Sequence, residues 1–132
     1  MQVDKIELIK YRLNRASETL EEAKISIENK RYLLAANRIY YSSFYAVSAL
    51  AIKYEVKTSR HAQLLSWFNK NFIRNEIIER RFGKFYLDAF EMRQESDYED
   101  FVVIDKKSID EKFKLASEFI DKISELINSI KA

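Results

Sequence analysis

No proline occurs in the 132 residues of this chain, and its one glycine is Gly83. Tight turns and β-hairpins draw on both residue types, because glycine reaches backbone angles that other residues avoid and proline pre-sets a turn. A chain almost without them is expected to be helices joined by short links. Apolar residues at 47% are enough for a packed core, and the length suits one domain spanning residues 1–132.

Periodicity agrees. Ile6, Ile9, Leu13, Ala16, Leu20, Ala23 and Ile27 fall at alternating steps of three and four, which places them on one stripe of an amphipathic helix over about residues 4–29. Phe113, Ala116, Ile120, Ile123, Ile127 and Ile130 repeat the pattern at the other end. There Ser108-Ile109-Asp110-Glu111 matches a capping box that would open the last helix. The segment Arg31 to Glu55 is apolar or aromatic on nearly every side of a helical wheel, so it is expected at the centre, packed by several neighbours. Thr58 or Ser59 is the expected N-cap of a shorter helix at about 61–73, followed by another at about 76–96 that contains Gly83. An interior glycine either permits close helix packing or marks a break. Tyr98 to Lys107 reads as an extended loop whose Phe101, Val102, Val103 and Ile104 fold back on the bundle. The fold class predicted is all-α: an antiparallel up-and-down bundle of four to five helices.

Several function classes drop out. Without cysteine there is neither a disulfide framework nor a thiolate metal site, and a reducing compartment is the simplest home. Met1 to Lys10 lacks a signal-peptide core, and no apolar run approaches the roughly 18 residues of a membrane span. A cytoplasmic protein without membrane association is expected. A single histidine, His61, excludes multi-histidine metal sites, and one glycine cannot build a phosphate loop. No metal or other cofactor is expected. The formal net charge of +2 is too small to mark a nucleic-acid binder by bulk field, so any anion site must be local.

Polar residues crowd two segments where helix periodicity would place core. In Asn37-Arg38-Ile39-Tyr40-Tyr41-Ser42-Ser43-Phe44-Tyr45, the residues Asn37, Tyr41 and Tyr45 stack at four-residue spacing on one face. Rings beside an Arg and an Asn could stack a base and hold a phosphate; periodicity alone favours the same rings as core filler with their hydroxyls at the surface, a reading that Asn37 and Arg38 fit less well. In Arg93-Gln94-Glu95-Ser96-Asp97-Tyr98, Arg93 and Asp97 lie on one helix face. An intrahelical ion pair would account for them, while as chemistry the arginine fork suits a phosphate. If both segments serve one phosphate, Arg38 and Arg93 should approach each other at a shared cleft. A homodimer is also expected, since the central helix carries more aromatic surface than one bundle's interior needs.

Asn37-Arg38-x-Tyr40-Tyr41-x-x-Phe44-Tyr45, then Lys57-Thr58 with His61 opening the next helix, then Arg93-Gln94-x-x-Asp97-Tyr98, resemble in order and separation the successive signatures of the HEPN domain. The resemblance spans nearly the whole chain. It implies a bundle of four or five helices, commonly dimeric, that in many members is paired with a minimal nucleotidyltransferase as toxin and antitoxin. Nuclease members carry Arg-x4–6-His. Here the arginine falls on Arg93, while Tyr98, Glu99 and Asp100 occupy the positions open to the histidine. A phenol or a carboxylate is poorly matched to proton transfer near neutrality. The expectation is therefore a nucleotide- or RNA-phosphate-binding HEPN protein with Asn37, Arg38, Tyr41, Arg93, Asp97 and Tyr98 at its site. Two alternatives are a metal-independent ribonuclease toxin using Arg93 with His61 or Tyr98, and a dimerising adaptor bundle that binds no ligand.

Overall fold

The computed structural model describes residues 2–98 and 103–129. Its elements are α1 (Gln2–Glu28), α2 (Tyr32–Lys53), α3 (His61–Phe68) running into a π-helical turn (Asn69–Ile73), α4 (Arg80–Tyr98) and α5 (Lys106–Ser129). Among the described residues every regular element is a helix. The all-α bundle read from the sequence is the structure observed.

Helix α2 is the central element, packing against α1, α5, α4 and α3. Twelve of its residues are buried, among them Ile39, Tyr40, Phe44, Val47 and Leu50, which is why its wheel has no polar side. From α1 the stripe delivers Ile9, Ala16 and Ala23 to the core, with Leu13, Leu20 and Ile27 packed against it, while Ile6 near the helix start stays 51% exposed. From α5 come Ile109, Ala116, Phe119, Ile120, Ile123 and Ile127. Phe119 anchors an aromatic centre, with ring centroids 5.5–5.9 Å from those of Phe68, Phe82, Phe85 and Tyr86.

A chain with one glycine still has to turn corners, and among the described residues three ordinary ones adopt the left-handed region: Lys30 (φ 59°), Glu55 (φ 60°) and Glu76 (φ 60°). At the end of α1, Lys30 N–H bonds to Ile27 O (3.0 Å) and Arg31 N–H to Ser26 O (2.8 Å). Glu55 and Val56 repeat the pair on Ile52 and Ala51 after α2. Both are Schellman caps, in which the left-handed residue lets two successive N–H groups close the last turn. Gly83, by contrast, has ordinary helical angles. Its value is its missing side chain: a Cβ there would sit 2.9 Å from Cγ1 and Cγ2 of Ile73, so the glycine allows α4 to press against the π-helical turn. Of the two sequence readings of Gly83, close packing is the one the structure bears out.

Several boundaries differ from expectation. Helix α3 has Arg60 as its N-cap residue, without a side-chain cap; the Thr58 hydroxyl accepts from Arg60 N–H instead (3.2 Å). Helix α4 starts at Arg80 rather than near 76, because the chain bends at Glu76 to drive Ile78, 1% exposed, into the core. Ser108 does not open α5. Asp105 stands before the helix, its carboxylate accepting from Ser108 N–H at 2.8 Å, so the cap lies three residues earlier and Ser108 occupies the third helical position. Of the loop expected to fold back, Val103 is 89% exposed and Ile104 packs against the core; Phe101 and Val102 lie outside the described residues.

Candidate functional site

Tyr40 and Tyr41, adjacent on α2, divide the work between inside and outside. Tyr40 is fully buried, while Tyr41 and Tyr45 are half-buried along the helix margin. Around these rings three helices bring together Arg38 from α2, His61 from the first position of α3, and Arg93 from α4.

Arg93 Nη2 donates to the Tyr41 hydroxyl at 3.0 Å, and its guanidinium carbon lies 5.5 Å from the Tyr41 ring centre and 5.7 Å from that of Tyr40. Arg38 approaches the same Tyr41 ring, at 5.4 Å. Both guanidiniums therefore lie within cation–π reach of one tyrosine, so Arg38 and Arg93 share Tyr41 as a neighbour. Arg38 is held by Asn37, whose side-chain oxygen accepts from Nε (3.0 Å) and Nη2 (2.7 Å), and by Glu22 of α1, which accepts from Nη1 (3.2 Å). Asn37 thus orients the arginine. Glu22 is a residue the sequence reading missed, and no pattern in α1 marks which of its exposed charges reaches across to α2.

His61 is the larger surprise. Its Nδ1 lies 2.6 Å from the Tyr40 hydroxyl, and its ring stacks on Phe44 with centroids 4.1 Å apart and planes 3° from parallel. The Tyr41 ring meets it edge-on at 5.7 Å. Burial, and second the positive charge of Arg93, hold the imidazole below its ordinary value. Tyr40 moves the other way: burial pushes its phenol well above the usual tyrosine range, against the opposing pull of Arg93. The signal for this pairing was present in the sequence as a lone histidine and a buried tyrosine, but only the fold brings α3 and α2 into register.

At the far end of the Tyr41–Tyr45 ladder, Arg15 of α1 donates to the Tyr45 hydroxyl (3.2 Å) with its guanidinium 5.0 Å from that ring's centre. Asp97 and Tyr98 fall on the last turn of α4, but their side chains lie outside the described residues, as do Glu99 and Asp100. Among the described residues no group of three His, Asp or Glu side chains is placed to hold a metal ion, and no helix is long and apolar enough to cross a membrane.

Chemically, the cluster offers two permanent cations, an imidazole and phenol groups beside a partly buried aromatic face. The model of the HEPN domain matches residues 9–126. A UPF0332 protein of Thermotoga maritima is 36% identical over 128 residues, covering 97% of each chain. Two Methanocaldococcus jannaschii proteins, named as candidate toxins, are 30% identical over 118 residues (87% of this chain, 85% of the relative) and 27% identical over 117 residues (89% and 80%). With the signatures on α2, α3 and α4 converging on one cluster and the family match spanning most of its length, the chain belongs to the HEPN domain family.

Proposed function

We propose that this protein binds a phosphate group of a nucleotide or of RNA at the Arg93, Arg38 and Tyr41 cluster, as the HEPN partner of a minimal nucleotidyltransferase in a toxin–antitoxin-type pair. The observation that carries the site is the pair of guanidiniums on one tyrosine ring, 5.4 and 5.5 Å from its centre. Two cations on different helices gathered around one half-buried ring concentrate positive charge at that ring, which favours an incoming anion, and arginine keeps its charge at every relevant pH. Glu22 covers part of Arg38 through an ion pair in which the carboxylate is half-exposed, so that solvent screening weakens it and a phosphate could displace it. Tyr41 and Tyr45 would offer ring faces to a base, with Asp97 and Tyr98 on the adjoining turn of α4. The toxin names of the two archaeal relatives support a toxin-type role. Residues 1–132 act as a single cytoplasmic domain that forms a homodimer.

A second reading, RNA cleavage without a metal, gains from one observation: folding brings His61 into the same cluster as Arg93. A neutral imidazole is the form in which histidine acts as a general base. Whether its free nitrogen can accept a proton depends on the bond to Tyr40.

The test is titration of adenosine monophosphate and of a short single-stranded RNA into wild type and Arg93→Ala. The expected loss is about 1–3 kcal/mol of binding, the scale of a charge-assisted contact. Equal binding by the variant would remove Arg93 from the site.

A further inference from the structure

The position of one proton decides what His61 can do. The phenol of Tyr40 is held well above the usual tyrosine range by burial, so it keeps its hydrogen throughout the physiological range. A buried O–H requires an acceptor, and among the described residues the one it meets is His61 Nδ1 at 2.6 Å. Tyr40 is then the donor and Nδ1 the acceptor, so the neutral ring carries its own hydrogen on Nε2. Phe44, flat against the imidazole at 4.1 Å, holds the ring in that orientation. Nε2 lies on the ring edge away from Tyr40, at a residue that is partly exposed and shares Tyr40 and Tyr41 with Arg93.

We infer that His61 is a neutral hydrogen-bond donor to the same phosphate that Arg93 holds, fixed as the Nε2–H tautomer by Tyr40. This inference rests on the phosphate-binding reading and gives that site a third arm. The acceptor is a non-bridging phosphate oxygen, which a nucleotide and an RNA strand both present. The tautomer also has a chemical consequence. With Nε2 already protonated, the ring has no lone pair facing the ligand to take a proton from a ribose 2′-hydroxyl. Base action would need the hydrogen moved to Nδ1 and the Tyr40 O–H turned away from its buried acceptor. Among the described residues, the groups facing the ring, Arg93 from α4 and the phenols of Tyr40 and Tyr41 from α2, include none that would stabilise an imidazolium. Tyr40 is a positioning residue, and His61 grips rather than cleaves.

Nitrogen-edited NMR of the full chain above neutral pH reads the tautomer directly. Wild type should show the Nε2-protonated pattern, and Tyr40→Phe should shift it toward a mixture. Adenosine monophosphate and a six-residue oligouridylate, added separately, should move the His61 Nε2 signal, and whichever does so names the source of the phosphate. His61→Ala should weaken that binding about fivefold, and His61→Gln, which keeps an N–H donor, should recover most of it. An Nδ1-protonated ring in wild type, or a His61→Ala protein that binds both probes as wild type does, overturns the inference. If Arg93→Ala loses binding while His61→Ala does not, only this inference fails. If neither probe binds wild type, the phosphate reading fails with it.

Discussion

At His61 two influences act in the same direction: burial first, and then the guanidinium of Arg93, both lowering the imidazole from its ordinary 6.5. The unfolded chain therefore takes up a proton at a pH where the folded chain still refuses it. Folding stability from this residue is fully present above pH 6.5 and is lost as the pH falls from there through the lower folded value. Urea midpoints measured from neutral to mildly acid pH should thus decline more steeply for wild type than for His61→Ala. Parallel declines would mean that the ring is not shielded in the folded protein. The sequence displayed this residue without its context. Lone histidines at helix starts are often caps, and neither the Tyr40 hydroxyl nor the Phe44 ring is near it in the chain. Arg38 and Arg93 were more legible, because a charged residue inside an otherwise apolar helix contradicts the packing unless something employs it.

At the level of elements, the absence of proline and the near absence of glycine identified helices correctly and located their corners poorly. Apolar periodicity reports which face of α1 or α5 is buried. It says little about a terminus, where one backbone angle at Lys30, Glu55 or Glu76 decides the path. Asp105 displaced the expected Ser108 cap because both are good cap residues three positions apart, and pattern alone does not choose between them. Two opposite glycine experiments follow. Lys30→Gly should stabilise the protein by up to about 1 kcal/mol, since glycine relieves the left-handed angle at some cost in unfolded-chain entropy. Gly83→Ala should do the reverse. The better helix propensity of alanine, about 1 kcal/mol, is outweighed by driving a methyl against the branched Ile73 side chain, for a net loss of about 1–2 kcal/mol. Denaturant titration checks both, and a neutral or stabilising Gly83→Ala would show that Ile73 yields easily.

For the whole molecule, the bundle acts as a frame that carries three chemically modest signatures from separate helices to one cluster. Each signature alone was consistent with core filling or a surface ion pair, and their convergence could be seen only in three dimensions. Apolar surface remains outside: Leu33, Leu34 and Val103 are 45%, 48% and 89% exposed, and all three line one groove between the start of α2 and the approach to α5. This is consistent with the expected homodimer, which sedimentation at micromolar concentration should detect; a clean monomer there would remove it. The central claim is that the cluster holds a phosphate without cleaving it. Its most direct measurement follows one single-stranded RNA, for binding and for intactness, with wild type, Arg93→Ala and His61→Ala at matched purity. The account predicts that wild type binds the strand and leaves it whole, and that Arg93→Ala binds it weakly. Vigorous cleavage by wild type that disappears in both variants would contradict the account and make His61 the acid–base group of a ribonuclease.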